Sequence, residues 1–335
     1  MTLRAGVLGL GVMGRHHSRV LSGLDGVEFV GVYDPADSVA PLIEGRPVVK
    51  ELDRFLDMGF DYCVVAAPTI YHLDIGKALA ERGIHALIEK PVASSTAAAT
   101  ELRDLFSAAG LVGGVGHIER YNPALQSARK RIEDGLIGDI YQITTRRQGP
   151  FPGRIADVGV IKDLASHDID LTAWVSQQDY VSVNARTAHR SGREHEDMVL
   201  AIGTLSKGTI ASHTVNWLTP YKERITIISG EKGALVADTL TADLTHYQNG
   251  VIENTWEQVS SFRGVTEGDM TRFALSRKEP LVAEHEAFRE AVLTGDTSAI
   301  VTLAEGTNVV RIAEELAADG AHHRLSWAED DGAKG

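Results

Sequence analysis

The apolar residues Val7-Leu8 run into Gly9-Leu10-Gly11-Val12-Met13-Gly14, and a second apolar run, Val30-Gly31-Val32-Tyr33, ends in Asp34. The acid follows the glycines at about the twenty-residue spacing of a dinucleotide fingerprint. Such a chain is constrained to strand, tight turn, helix and parallel strand. Gly9 permits the turn, Gly11 leaves the backbone open to an approaching pyrophosphate, and Gly14 lets the helix lie close on the sheet. The helix beginning at Val12 and Met13 turns free N–H groups and the positive end of its dipole to the phosphates. Asp34 can accept hydrogen bonds from the adenine ribose, or it can cap the turn after its strand. Its carboxylate repels a 2′-phosphate, and Pro35-Ala36-Asp37-Ser38 offers no Arg or Lys to hold one. The expected cofactor is NAD in preference to NADP.

The rest of the first 116 residues alternates in the same way. Strands are predicted at Arg4–Gly9, Glu28–Tyr33, Asp61–Ala66, His85–Ile88 and Val112–Gly116. They are continuous apolar runs, as parallel strands covered on both faces require. Helices are predicted at Met13–Ser22, Tyr71–Glu81 and Thr96–Ala109, the last with Ser94, Ser95 or Thr96 as its N-cap. Past residue 117 the pattern changes. A helix over Pro123–Glu133 precedes β-branched stretches at Ile140–Arg147, Val181–Thr187, Met198–Leu205, Gly208–Asn216, Arg224–Ser229, Ala234–Ala237 and Leu244–Tyr247. Helices return at Leu281–Leu293 and Ile300–Ala317, and the last is expected to dock back on the first domain. The predicted fold class is α/β: an N-terminal Rossmann doubly wound parallel sheet plus a C-terminal α+β domain with a large open, mostly antiparallel sheet. The domains are expected at residues 1–120 and 121–335.

With 335 residues, 43% of them hydrophobic, the chain can bury two cores. A formal net charge of −13 argues against nucleic acid or an anionic membrane as a partner, so an anionic ligand must be held by local donors. No apolar run approaches membrane-spanning length and no signal segment is read before the first strand, so a cytoplasmic location is expected. Cys63, the sole cysteine, lies in an apolar run and reads as a buried small hydrophobe.

Four segments carry candidate chemistry. Glu89-Lys90-Pro91 ends a strand on the edge where a nicotinamide would lie. Pro91 restricts Lys90 to an extended backbone, which aims the ammonium. Lys90 can donate to a substrate oxygen, and a cationic nicotinamide nearby would lower its pKa toward that of a proton carrier. The alternative is a solvated strand-end lysine. On the same edge, Ala66-Ala67-Pro68-Thr69-Ile70-Tyr71-His72 brings Ala67, Pro68 and Thr69 toward the cofactor, and His72 is either a cofactor neighbour or a helix-packing residue. Gly116-His117-Ile118-Glu119-Arg120-Tyr121-Asn122-Pro123 lies at the domain junction, where clefts form, so His117, Arg120, Tyr121 and Asn122 are candidate substrate contacts. Equally, Glu119 can pair with Arg120, and Asn122 can cap the following helix. Asp163 and His167 are four apart and share a helix face, with Asp170 beyond them, so Asp163 is expected to orient the imidazole. Metal binding is not expected, because neither His-Glu-x-x-His nor Cys-x-x-Cys occurs.

The set Gly9-x-Gly11-x-x-Gly14, Glu89-Lys90-Pro91 and Asp163-x-x-x-His167 resembles the Gfo/Idh/MocA oxidoreductases over nearly the whole chain. That resemblance implies NAD(P)-dependent oxidation of sugars, inositol or related polyols. It makes Lys90 the catalytic lysine with Asp163 and His167 as partners, and makes the C-terminal sheet the interface of a homodimer or homotetramer. The 116–123 segment and Gly149-Pro150-Phe151-Pro152-Gly153-Arg154-Ile155-Ala156-Asp157-Val158-Gly159 are similar to the branch of UDP-N-acetylglucosamine 3-dehydrogenase-like nucleotide-sugar enzymes. Arg146, Arg147 and Arg154 form a basic cluster in this acidic chain, able either to clamp a diphosphate or carboxylate or to balance nearby acids. A non-catalytic NAD-binding sensor is the rival of another class, but a sensor has no need for Lys90, Asp163 and His167 together.

Overall fold

A computed structural model describes residues 2–153, 158–250 and 266–323. The first half runs β1 (Leu3–Leu8), α1 (Val12–Ser22), β2 (Val27–Tyr33), β3 (Leu42–Ile43), β4 (Arg46–Val49), α2 (Leu52–Leu56), β5 (Tyr62–Val65), α3 (His72–Glu81), β6 (His85–Glu89), α4 (Thr96–Ala108) and β7 (Gly113–Gly116). Its sheet has the order β3-β4-β2-β1-β5-β6-β7, parallel throughout except for the β3/β4 edge hairpin. The buried runs Ala5–Leu8, Tyr62–Val65 and Ala86–Ile88 form its centre and feed separate cores on its two faces. The strand order reverses between β1 and β5, which opens a crevice at their carboxyl ends.

The second half comprises α5 (Pro123–Glu133), β8 (Ile140–Pro150), α6 (Ser166–Ser176), β9 (Tyr180–Ala188), β10 (Met198–Leu205), β11 (Ile210–Asn216), β12 (Leu218–Gly230), β13 (Gly233–Asp238), β14 (Asp243–Gly250), β15 (Thr266–Arg272), α7 (Pro280–Thr294) and α8 (Leu303–His322). Its sheet has the order β15-β14-β13-β12-β8-β11-β10-β9, antiparallel except between β8 and β11. One face lies on a core with α5, α6 and α8, into which Ile143, Val199, Ala211, Ile228 and Leu235 point. Among the described residues nothing covers the other face: Leu200, Ile202, Ile210, Tyr247 and Met270 stand exposed on it.

α8 joins the halves. Val309, Ile312, Ala313 and Leu316 enter the second-sheet core, while Leu303 and Val310 enter a core of the first. The helix begins at Leu303 rather than Ile300, because Val301 and Thr302 stay extended beside β7, where Val115 N–H donates to Val301 O at 2.8 Å. Thr302 and Glu305 then close a reciprocal capping box. α7 returns to the first sheet as well, with Phe288 edge-on to Tyr62 at 5.4 Å. Three strands absent from the sequence reading are β3, β4 and β15. The first two are a short edge hairpin with too few residues to show a period, and β15 reads Thr-Glu-Gly-Asp-Met-Thr-Arg, almost without apolar alternation. The polar tail from Glu329 onward lies outside the described residues.

Candidate active site

The glycine loop has the shape of a cofactor cradle. Gly9 adopts φ +98°, and a Cβ there would stand 2.7 Å from Ala66 O. A Cβ on Gly14 would stand 1.9 Å from Gly9 O, whereas one on Gly11 would meet nothing within 4 Å. The loop is therefore closed against the protein at Gly9 and Gly14 and open outward at Gly11. No side chain caps α1, so the first-turn N–H groups around Val12 and Met13 are free for phosphate. Asp34 bonds both ways along the loop, its Oδ2 accepting from Leu10 N at 2.7 Å and its Oδ1 from Ala36 N at 2.9 Å. Each oxygen keeps a second lone pair for a ribose hydroxyl. These residues fit a dinucleotide.

At the carboxyl end of β5, Ala67 and Thr69 are half-buried and Pro68 is exposed. His72 sits behind them, its Nε2 2.9 Å from Ala67 O and its Nδ1 3.1 Å from Pro91 O. It ties the loop after β5 to the loop after β6, and burial holds its pKa below the usual histidine value. A neutral ring carries one N–H and both neighbours are carbonyls, so His72 donates to one loop and packs against the other.

Lys90 lies at the end of β6 and meets the second half directly. Its Nζ donates to Asp163 O at 2.7 Å and to Asp163 Oδ1 at 3.0 Å. An ammonium has three donors, so one N–H stays free for a ligand. Asp163 reaches Lys90 from a turn of π-helix, Ile161–Ala165, that precedes α6. This corrects the regular helix expected here: Asp163 pairs with Lys90, and Asp170 pairs with Arg120, so neither acid orients His167. His167 Nδ1 is buried without a partner among the described residues, which leaves Nε2 as the ring nitrogen available to a ligand. Burial first, then the charges of Lys90 and Arg147, hold His167 well below the ordinary histidine pKa. His117 stands edge-on to His167 with ring centroids 6.2 Å apart and is likewise kept neutral by burial.

Several sequence candidates are bonded elsewhere. Arg120 forks onto Asp170 at 2.6 and 2.8 Å and reaches Glu305 at 2.7 Å. Arg147, 4% exposed, is held by Asp168 at 2.9 Å and Glu119 at 2.8 Å. Arg146 pairs with Glu223 on the other face of β8. Tyr121 donates to Ala299 O, and Asn122 caps α5 while donating to Thr239 O. The structure thus uses these groups as struts between elements rather than gathering them around Lys90. Arg154 lies outside the described residues. Among those residues, no group of three or more His, Cys, Asp or Glu is placed to hold a metal.

Glu89, expected with Lys90 on the cofactor edge, is held from behind by partners the sequence reading did not find, and Arg224 on β12 escaped that reading altogether. Glu89 is buried beside Lys90, with His17 Nε2 2.9 Å from its Oε1 and Lys90 N donating to its Oε2 at 3.0 Å. Burial pushes that carboxyl up, but the His17 hydrogen bond and the Lys90 charge outweigh it and leave the pKa below the usual value. His17 Nδ1 lies 2.8 Å from His285 Nε2 on α7. An ionised Glu89 only accepts, so His17 donates from Nε2 and accepts from His285. Nothing local marks His17 and His285 as partners of Glu89, since they come from distant parts of the chain.

Residues 3–117 match the oxidoreductase family model with an NAD-binding Rossmann fold, and residues 125–236 match the GFO/IDH/MocA C-terminal domain. The UDP-N-acetylglucosamine 3-dehydrogenase of Acidithiobacillus ferrooxidans is 29% identical over 294 residues, 87% of this chain and 88% of its own. A solved structure of the enzyme of that name from the same organism superposes with a TM-score of 0.83 at 25% identity, covering 95% of this chain and 98% of that one. An inositol 2-dehydrogenase of Rhizobium meliloti is 26% identical over 254 residues, 71% of this chain and 76% of its own. Among described residues no helix is long and apolar enough to cross a membrane. With both halves matched in order along one chain, this protein belongs to the Gfo/Idh/MocA family of oxidoreductases, built on an NAD-binding Rossmann fold.

Proposed function

We propose that the protein transfers a hydride between NAD and a ring hydroxyl carbon of a sugar or nucleotide sugar, of the kind named for its UDP-N-acetylglucosamine 3-dehydrogenase relative. The observation that carries this reading is the bond between Lys90 of the first half and Asp163 of the second, four residues before His167. Gly9, Gly11, Gly14, Val12, Met13 and Asp34 would hold the cofactor, with Ala67, Pro68 and Thr69 beside its nicotinamide end. When bound, NAD supplies the hydride acceptor, and the protein supplies placement and electrostatics. His167, neutral because its site is buried and cationic, takes the hydroxyl proton at Nε2. Lys90 gives its third N–H to the same oxygen and steadies the charge developing there. Asp163 holds the ammonium in that direction, and Glu89 with His17 braces the backbone beneath it. The carboxylate at Asp34 favours NAD over NADP.

Incubating the protein with NAD and a panel of polyols, sugars and UDP-sugars, with NADH followed by absorbance, tests the reading. Lys90→Met and His167→Ala should each lower turnover by about 10²- to 10⁴-fold without weakening NAD binding. Near-normal turnover in both would sink the assignment.

One observation favours a neutral polyol such as inositol instead: Arg120 and Arg147, expected to hold an anionic group, already carry carboxylates. The same panel separates the two. A cytoplasmic location goes with either reading, and the buried, unpaired Cys63 suits a reducing compartment. The uncovered apolar face of the second sheet is the surface through which two or four copies would associate.

A further inference from the structure

Arg224 of β12 is the register partner of Arg147 of β8. It shares the helix-covered face with Thr226 and Ile228. The two arginines are treated differently. Arg147 is closed between Glu119 and Asp168. Arg224 uses Nη1 alone, donating to Gln148 O at 2.7 Å and Glu223 O at 2.8 Å. Both of those partners are backbone carbonyls, and no carboxylate among the described residues bonds to it. Its Nε and Nη2 have no bonded partner among these residues, yet the side chain is half-buried. Of Arg120, Arg146, Arg147 and Arg224, only Arg224 lacks a carboxylate.

A guanidinium whose Nε and Nη2 reach solvent and bond no carboxylate presents a fixed two-donor edge to an anion. Burial and the neighbouring Arg147 charge hold its pKa below the usual arginine value, though it stays protonated at neutral pH. An incoming anion would replace solvent at that edge. Arg224 lies on the side of the reacting groups, because its register partner Arg147 bonds Asp168, the residue after His167, and its charge is felt at His167. The chain as a whole carries −13 and repels anions at a distance, so anion capture needs a fixed local donor.

We infer that Arg224 is the anion anchor of the substrate site, its open Nε/Nη2 edge taking a phosphate or a carboxylate carried by the sugar away from the reacting hydroxyl. This rests on the dehydrogenase reading of the same cleft, and it supplies the anionic contact that Arg120 and Arg147 do not. The planar fork suits two parallel bonds to such a group. Two sources share that chemistry, a nucleoside diphosphate and a sugar acid.

Calorimetric titration of the NAD-loaded protein with UDP in one arm and glucuronate in the other tests this without requiring turnover. At least one of the two should bind the unaltered protein. Arg224→Gln should weaken that binding by about ten- to a hundredfold. Arg224→Lys, which keeps the charge but not the fork, should fall between, and NAD affinity should be the same in all three. The arm that responds identifies the source. Equal affinity in Arg224→Gln, silence in both arms, or a parallel loss of NAD affinity in both variants would overturn the anchor. A protein that binds UDP but reduces no NAD with any sugar sinks the dehydrogenase reading and leaves the anchor standing. Reduction of NAD by neutral sugars without affinity for either anion does the opposite.

Discussion

Lys90 and Asp163 come from different halves, yet two bonds join them, one to a carboxylate and one to a carbonyl. Asp163→Asn keeps the carbonyl contact and the shape but removes the charge. One charge-assisted hydrogen bond is worth about 1.5–3 kcal/mol, so turnover should drop by roughly ten- to a hundredfold while the NAD dissociation constant stays put. Steady-state kinetics beside a fluorescence titration with NAD would separate the two, and an unchanged kcat would reject the pairing as a functional one. His167 carries a second expectation. A base must be unprotonated, and this one has its pKa well below 6.5. The acid limb of the kcat/KM profile should therefore fall below pH 6.5 and not at it. A limb at or above that value would mean another group titrates.

Elements show where the sequence speaks clearly. The loop between β1 and α1 was legible because its requirements are local: a positive φ at Gly9, a close approach at Gly14 and open space at Gly11. Those requirements separate two variants. Gly14→Ala forces a methyl against Gly9 O and should lower stability by about 1–3 kcal/mol or more. Gly11→Ala meets nothing, so the melting temperature should hold while NAD binding weakens. Equal melting losses in the two would contradict this geometry. In the second sheet, His213 on β11 bridges Thr145 on β8 and Tyr180 on β9 at 2.8 Å each, and burial pushes its pKa down to about 4. The unfolded chain takes up this proton near pH 6.5, and the folded one refuses it until about pH 4. Stability from this group is thus present above pH 6.5 and lost as pH falls toward 4, by about 3 kcal/mol in all. Melting curves across that window should be less steep in pH for His213→Gln than for the unaltered protein. The π-helical turn at Ile161–Ala165 was not legible, since one extra residue in a turn leaves no mark on apolar spacing, and it moved Asp163 from His167 to Lys90.

On the scale of the whole molecule, α8 is the wedge that fixes how the halves face each other, and that orientation decides whether Lys90 and His167 share a cleft. It enters both cores, and Gly306 packs with a Cβ position 2.5 Å from Val115. The uncovered sheet face is the other large-scale feature. Ile202, 60% exposed on β10 between Leu200 and Ile210 of the same face, is a place where a charge would be felt in an assembled oligomer. Ile202→Lys should shift sedimentation toward the monomer without altering the melting of the monomer. A monomeric unaltered protein would remove that face as an interface.

The chain by itself determined the Rossmann half, the change to an open sheet past residue 117, and the position of Lys90 at a strand end. These rest on periodicity, glycine geometry and turn chemistry, which adjacent residues carry. Tertiary structure alone decided the partners of the charged side chains. Lys90 meets Asp163 across 73 positions and Arg120 meets Asp170 across 50, and sequence spacing says nothing about pairs so far apart. A buried charge takes whichever counter-charge the topology brings to it, so Arg120 and Arg147 became struts while Arg224 kept an open edge.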